Sequence, residues 1–176
     1  MSAMVAMSAL SGMMRRPAAL VAALLLVLTL GAPGCGPDVD VKQAVQIADI
    51  SGGWFDAGIK DGKNKLVPSV SFRVKKSVNT ALRPLALNLA FKKVTPQGEE
   101  DFDDVYVQSV TFEGNQTAPM TLRTETGYTG DAPQSRAQML QHAQFQDLRV
   151  VFFAKHSSSN WVELARFDIP RTLLTR

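Results

Sequence analysis

Alternating apolar and polar residues are the main pattern of the chain beyond residue 44. The segment 70–75 reads Val-Ser-Phe-Arg-Val-Lys, and the segment 85–92 carries a large apolar residue at every second position. A period of two is typical of a β-strand with one buried and one solvated face. Further strands are predicted over 105–112 with a bulge near Gln108 and Ser109, over 148–154 and 161–169, and from shorter patterns over 45–50, 54–59 and 120–124.

The segment 136–144 departs from this pattern. It holds Met139, Leu140 and Ala143 at spacings that suit one face of a helix, and it contains no β-branched residue. We therefore predict one short helical turn among about seven or eight strands. This content predicts an all-β fold, namely an antiparallel immunoglobulin-like β-sandwich, with a small closed barrel as the alternative.

The first 35 residues have a different composition, with Arg15 and Arg16 as their only charged residues. An almost unbroken apolar run over 18–30 follows these arginines, and small residues follow the run. A basic stretch, an apolar stretch and small residues, in that order, are the parts of a secretory signal peptide. We therefore assign residues 1–35 to a signal peptide, whose apolar part is expected to form a helix.

The segment Ala32-Pro33-Gly34-Cys35 resembles the lipobox of bacterial lipoproteins, in which small residues precede a cysteine. Cys35 is the only cysteine of the chain. The resemblance implies cleavage before Cys35, acylation of this cysteine (palmitate) and a lipid-anchored protein on the periplasmic side of the cell envelope. Gly36, and not an aspartate, follows the cysteine, which under the sorting rule of enteric bacteria favours the outer membrane over the inner membrane.

Two other interpretations of the leader stay open. The segment 17–34 is about as long as an uncleaved membrane-spanning helix of roughly 18–20 residues, or the leader is a plain signal peptide with an incidental cysteine. All three interpretations place the following domain outside the cytoplasm. Residues 36–43 are predicted to be a short tether, because glycine, proline and aspartate disfavour regular structure, and residues 44–176 are predicted to be the β-sandwich. Seven extended residues span about 25 Å at most, so the domain is expected to stay near the bilayer.

The segment 72–80, the strand 85–91 and Gly98 resemble the FxLYD-type extracytoplasmic domains of bacteria, which are immunoglobulin-like modules. In that family a strand ends in a polar turn that contains asparagine, and the next strand carries the signature. Residues 92–94 read Lys-Lys-Val in place of the Leu-Tyr-Asp of the family. The resemblance implies the immunoglobulin-like fold and transfers no functional residue.

Net charge gives little support to a nucleic-acid partner. Beyond residue 35 the chain has seventeen basic and sixteen acidic residues, which is a net charge near +1. The sequence pI of about 9.2 therefore depends partly on the leader, and no basic stripe with interleaved aromatic residues occurs. We expect no nucleic-acid binding.

Residue types that carry catalysis or bind metals do not form a recognisable motif. His142 and His156 are the only histidines, and a metal site needs several ligands at compatible spacing. The acidic run 99–104 suits either a calcium loop or a solvated hairpin loop, but it lacks the glycine and asparagine residues of typical calcium loops. The chain has neither a G-x-S-x-G sequence nor a P-loop. We expect no metal, no cofactor and no catalytic residue, and therefore not an enzyme.

Three aromatic residues are candidates for binding a partner. Trp54 and Phe55 follow two glycines and precede a lysine-rich loop, which suits an exposed aromatic anchor; a core position of Trp54 is the alternative. Tyr128 lies in a polar loop over 127–136, and long loops often carry binding residues.

The pairs Lys75-Lys76 and Lys92-Lys93 are predicted near the ends of two neighbouring strands. Together they would form one positive patch that faces anionic lipid headgroups. The alternative is that they are solvated strand ends, which discourage pairing with another chain.

These observations favour a membrane-anchored extracytoplasmic lipoprotein that acts as a non-enzymatic binding or assembly module of an envelope complex. Its expected partners are the membrane, through lipid on Cys35, and an envelope protein. One alternative is a carrier or sensor of a small apolar or envelope-derived ligand, which requires a cavity of roughly 300 Å³ or more. Another is a hydrolase of envelope polymers, which requires convergent carboxylates or a nucleophile in one cleft.

Overall fold

The computed structural model describes residues 39–77, 82 and 84–174. The predicted signal peptide, Cys35 and the first residues of the predicted tether lie outside the described residues. The last residues of that tether form a short helix, α1 (Val41–Ala44). The side chain of Asp40 caps this helix by accepting a hydrogen bond from the backbone N–H of Lys42 at 3.0 Å. Val41 and Ala44 are buried, so the domain core includes this helix.

Nine strands and a second helix follow α1 in the described part of the chain. The strands are β1 (Val45–Lys60), β2 (Lys63–Lys76), β3 (Leu85–Thr95), β4 (Gly98–Val107), β5 (Met120–Arg123), β6 (Tyr128–Gly130), β7 (Leu148–His156), β8 (Val162–Ile169) and β9 (Leu173–Leu174). Helix α2 (Arg136–Gln141) lies between β6 and β7. The predicted helical turn is therefore confirmed.

The strands form two sheets. Sheet A has the order β5-β2-β1-β9, with β6 also paired to β2, and sheet B has the order β4-β3-β7-β8. The pairs are antiparallel except for β1 with β9, which are parallel. The all-β sandwich is confirmed. The first, second, fifth, sixth and ninth strands share one sheet, and the third, fourth, seventh and eighth strands share the other.

The core fills the space between the inner faces of the two sheets. The period of two decides which side chains enter it, because successive residues of a strand point to opposite faces. Phe72 of sheet A and Phe152 of sheet B meet edge to face with ring centroids 5.0 Å apart. Both rings are almost completely buried, and such pairs add about 0.5–1.5 kcal/mol to the gain from burial.

Strand β1 joins two strands that the sequence predicts separately. Its pairing with β2 shifts register between Ala48 and Ser51 and again between Asp56 and Ile59. Asp49 has φ of 54° at the first shift, which is a conformation that aspartate adopts more readily than most residues. The irregularities break the alternation in the sequence without ending the strand.

The acidic run 99–104 lies in strand β4, so the prediction of a hairpin loop there is wrong. The chain reverses earlier, and Thr95 closes the turn by donating its hydroxyl to the carbonyl of Gly98 at 2.8 Å. Strand β4 is an edge strand of sheet B, and charged side chains on an edge strand discourage pairing with another chain.

Two further predictions are corrected along the chain. The predicted bulge near Gln108 and Ser109 is absent from the described strands, because β4 ends at Val107. The pairing of β4 with β3 does shift register, but it does so between Phe91 and Lys92 of β3. The segment 127–136, predicted as a polar loop, contains the short strand β6. A Cβ atom on Gly127 would lie 2.3 Å from the carbonyl oxygen of Leu66, so only glycine permits this close approach to β2.

The two lysine pairs do not form one patch, so the prediction that they lie on neighbouring strands is wrong. Strand β2 belongs to sheet A and strand β3 to sheet B. Lys75 and Lys76 end β2, whereas Lys92 and Lys93 lie near the end of β3, which runs back along the sandwich. Lys92 is paired with Asp101 across the β3–β4 hairpin.

The antiparallel order gives the domain two distinct ends. The chain enters the domain at Val39, and we call this end of the sandwich the proximal end. It holds the starts of β1, β3 and β8 and the ends of β2, β4 and β7. Backbone hydrogen bonds from Ser77 to Ala44, from Val110 to Leu85 and from Ser157 to Pro84 tie these segments together. The opposite end, with the β1–β2 and β3–β4 hairpins, is called the distal end.

Candidate functional site

Trp54 occupies the core, which is the alternative that the sequence left open. Its side chain has no exposed surface. The ring packs against Tyr128 with centroids 5.4 Å apart and against Phe145 at 4.6 Å. Tyr128 and Phe145 are themselves 4.6 Å apart. The structure therefore brings two of the three predicted aromatic residues together, at the distal end of the sandwich.

Phe55 lies on the other face of sheet A, because adjacent residues of a strand point in opposite directions. The guanidinium of Arg123 stacks on its ring, 3.5 Å from the centroid. The Nε atom of Arg123 also donates to the hydroxyl of Ser69 at 3.4 Å. Phe55 is thus half-buried beneath an arginine and does not join the other two rings.

A surface cleft of about 330 Å³ opens beside Tyr128 and Phe145. Strand β6, helix α2 and the segment after α2 form its walls. Apolar and polar side chains share the lining, and they include Tyr128, Asp131, Gln134, Met139, His142, Gln144 and Phe145. We call this feature the distal cleft.

Local sequence positions α2 beside the distal cleft. Ser135 and Gln138 form a capping box: the N–H of Gln138 donates to Ser135 Oγ at 3.2 Å, and the N–H of Ser135 donates to Gln138 Oε1 at 2.7 Å. A Cβ atom on Gly130 would lie 2.7 Å from Gln134 Oε1 and 2.9 Å from Met139 Cγ. The absence of a side chain at Gly130 therefore lets α2 approach β6.

Hydrogen bonds hold the polar groups around the cleft. Burial raises the pKa of Tyr128, and its hydroxyl donates to the carbonyl of Gln146 at 3.4 Å. The Nδ1 atom of His142 accepts from the backbone N–H of Gln144 at 3.3 Å. Asn64 Nδ2 donates to the carbonyl of Gln134 at 2.7 Å. The distal cleft is thus a built concavity with an aromatic wall, of the size that takes a side chain or a small ligand.

A second feature, which the sequence analysis missed, lies at the proximal end on the outer face of sheet B. Tyr106 is 63 % exposed and Trp161 is 39 % exposed, and their ring centroids are 6.3 Å apart. Lys155 Nζ lies 4.8 Å from the centroid of Trp161. We call Tyr106, Trp161 and Lys155 the aromatic patch. The exposure of Tyr106 could have been predicted from the sequence, because Tyr106 occupies the solvent-facing position between Val105 and Val107 in a strand.

The outer face of sheet B also carries a network of five charges beyond the aromatic patch. Arg149 bridges Asp168, at 2.5 and 3.1 Å, and Glu99, at 2.8 Å. Arg166 also binds Glu99, at 3.0 Å, and binds Glu163, at 2.8 Å. Hydrogen bonds from the two arginines lower the pKa of Asp168 and of Glu163 below their usual values. These carboxylates are engaged within the sheet.

Neither helix of the described residues is long and apolar enough to cross a membrane. Within the same residues no group of three or more histidine, cysteine, aspartate or glutamate side chains is arranged to hold a metal ion. His142 lies at the distal cleft, whereas His156 ends β7 at the proximal end, so the structure does not bring the two histidines together.

Comparison with protein-family models and with curated proteins gives no match for this sequence. The likeness of the leader to a lipobox and that of the segment 72–98 to FxLYD-type domains therefore stay predictions.

Proposed function

We propose that the protein is a lipid-anchored extracytoplasmic module that binds a partner protein of the cell envelope, without catalysis, through the distal cleft. The observation that carries this proposal is the position of the cleft. It lies at the end of the sandwich opposite Val39, the residue at which the chain enters the domain. A domain held at its N-terminus by lipid on Cys35 presents this cleft away from the bilayer, where a partner can reach it.

The chemistry of the cleft suits an apolar side chain flanked by polar groups. Tyr128, Phe145 and Met139 supply apolar contact, and interfaces are enriched in such aromatic residues and methionine. Asp131 and Gln144 at the rim are exposed and supply hydrogen-bonding groups. Packing of Trp54 behind Tyr128 and Phe145 fixes the wall, and a rigid wall lowers the entropy lost on binding.

Photo-cross-linking in native membranes tests this proposal. A photoreactive residue replaces Gln144, which is exposed at the cleft, and in a matched variant it replaces Thr121, which is exposed on the outer face of sheet A. We expect a discrete envelope protein to be cross-linked from position 144 and not from position 121. Equal products from both positions, or none from position 144, would contradict binding at the cleft.

The anchor is tested separately by the mass of the N-terminal peptide of membrane-extracted protein. We expect a processed peptide that begins with acylated Cys35, and loss of membrane association in a Cys35→Ala variant. An unprocessed leader would contradict the lipid anchor but not binding at the cleft.

The volume of the distal cleft also suits a small apolar ligand, which is the function of a carrier or sensor. Mass spectrometry of the native protein separates the two functions: a bound small molecule retained in the gas phase supports the carrier, whereas a cross-linked protein at position 144 supports the assembly module.

A further inference from the structure

The proximal end of the domain combines exposed aromatic rings with lysines near the point where the chain enters. Val39 packs against the core, and three residues lie between it and Cys35 in the sequence. The four Cα–Cα steps from Cys35 to Val39 span about 14 Å when the chain is fully extended. If Cys35 carries lipid, as the proposed function states, the proximal end cannot move far from the bilayer surface.

Two of the most exposed large apolar side chains of the described residues belong to this end. Tyr106 and Trp161 contact each other across the outer face of sheet B. Tryptophan and tyrosine rings are enriched at membrane–water interfaces, where an apolar ring with one polar group suits the headgroup level. Phe112, half-buried in the loop after β4, adds a third ring to the same end.

Lysines stand beside these rings. Lys155 Nζ lies over Trp161 at 4.8 Å, and Lys76 Nζ lies over Phe112 at 5.7 Å from the centroid. Neither lysine forms an ion pair with a described residue. Long lysine side chains can lay their apolar stems along a surface and place the ammonium group at anionic phosphates.

The carboxylates of the proximal end are largely engaged. Asp49 pairs with Arg73 at 3.7 Å and with Lys75 at 3.6 Å. Glu163 is held by Arg166, and Asp40 caps α1. Glu113 is exposed and lies beside Lys75 and Lys76 in one surface pocket. The distal end, in contrast, holds most of the acidic strand β4 together with the lysines of the β1–β2 hairpin, Lys60 and Lys63.

We propose that the proximal end lies against the bilayer, with Trp161 and Tyr106 at headgroup level and with Lys76 and Lys155 facing lipid phosphates. The lipid anchor and the aromatic patch then fix the orientation of the domain together. The distal cleft points away from the membrane in this orientation. The inference rests on the lipid anchor of the proposed function and concerns a different surface from the partner-binding cleft.

Tryptophan fluorescence of the full-length protein in reconstituted vesicles tests this orientation. The chain has two tryptophans: Trp54 is buried in the core, whereas Trp161 is exposed. Vesicles with phospholipids brominated near the headgroup are compared with ordinary vesicles of the same composition. We expect loss of Trp161 emission in the brominated vesicles, a larger loss when anionic lipid is included, and no loss in a Trp161→Phe variant. A Trp54→Phe variant should keep the whole quenching effect.

A Lys76→Glu/Lys155→Glu double variant tests the phosphate contacts. We expect it to reduce the quenching in anionic vesicles and to leave the quenching in neutral vesicles unchanged. A Lys60→Glu/Lys63→Glu variant at the distal end should behave as the wild type.

Equal Trp161 emission in brominated and ordinary vesicles would overturn the inference. Shielding of Trp161 from solvent in native membranes but not in vesicles would also overturn it, because a protein and not lipid would then cover the aromatic patch. The mass of the N-terminal peptide from the same vesicles separates the two proposals: lipid on Cys35 without quenching overturns the orientation alone, and quenching without lipid overturns the anchor alone.

Discussion

Tyr106 and Trp161 touch although they come from opposite edges of sheet B. Tyr106 lies on β4 and Trp161 directly precedes β8, and strands β3 and β7 run between them. On β3 the cross-strand partner of Tyr106 is Asn88, and Ala86, on the same face, pairs with Lys155 of β7. The ring centroids of Tyr106 and Trp161 lie 6.3 Å apart.

A double-mutant cycle should detect this contact. We expect Tyr106→Ala and Trp161→Ala each to lower the free energy of unfolding by about 1 kcal/mol or less, because both side chains are exposed. The pair should show a coupling of about 0.5–1 kcal/mol, within the lower part of the range for aromatic pairs, measured by urea denaturation of the two single variants and the double variant. Tyr106→Phe, which keeps the ring, serves as the control. A coupling of zero would show that the rings do not interact in solution.

The adjacent residues Trp54 and Phe55 should differ sharply when replaced. Trp54→Ala removes a fully buried ring and should cost about 3–5 kcal/mol, and it should also loosen the distal cleft by removing the support of Tyr128. Phe55→Ala removes a half-buried ring under Arg123 and should cost about 1–2 kcal/mol. Chemical denaturation gives both values, and similar losses for the two variants would contradict the burial of Trp54.

Thr117 should be required for its hydroxyl. Its side chain is buried, and Oγ1 accepts a hydrogen bond from the backbone N–H of Val74 at 3.1 Å. Thr117→Val has nearly the same shape but leaves this N–H without its acceptor, so we expect a loss of about 1–3 kcal/mol in unfolding free energy. Thr117→Ser keeps the acceptor and should lose less. If the valine variant were as stable as the serine variant, the hydrogen bond would contribute nothing.

Acid should weaken the charge network of sheet B. The pKa of Asp168 and that of Glu163 are lowered in the folded state by hydrogen bonds from Arg149 and Arg166. Their contribution to stability is therefore complete above the ordinary carboxyl pKa of about 4, and it is lost as the pH falls through the folded-state values. Both carboxylates are largely exposed, so the contribution is expected to be about 1 kcal/mol or less.

An Arg149→Gln variant provides the measurement for this network. We expect it to be less stable than the wild type at pH 7 and to approach the wild type as the pH is lowered to about 3. Thermal unfolding across this range is compared with that of a Lys60→Gln variant, whose lysine is outside the network. A difference between wild type and Arg149→Gln that does not change with pH would mean that the loss comes from packing and not from the ion pairs.

Much of the strand content could be read from local pattern. The clear alternations over 70–75 and 85–91 correspond to β2 and β3, and the capping box explains why α2 begins after Ser135. The acidic run was misread because polar residues at consecutive positions look like a loop. In an edge strand, side chains on the outer face and along the free edge both meet water, so the alternation disappears although the backbone stays extended.

The candidate sites were less accessible to sequence reasoning. The sequence identified Trp54, Phe55 and Tyr128 as aromatic candidates. It did not indicate that Trp54 and Tyr128 pack against each other, or that Phe55 lies on the opposite face beneath Arg123. Tyr106 and Trp161 are far apart along the chain, and only the order of the strands brings them into contact. The same order separates the two lysine pairs, whose similar sequence suggested one patch.

The sequence by itself determined most of the segments that become strands, the buried face of those with a clear alternation, and therefore the β-sandwich, because the period of side-chain orientation is a local property of the backbone. The tertiary structure decided which strands are neighbours, and with that the distal cleft, the aromatic patch and the charge network. Strand pairing joins residues that are distant in the chain, and its energy depends on packing between whole sheets, so no local pattern carries that information.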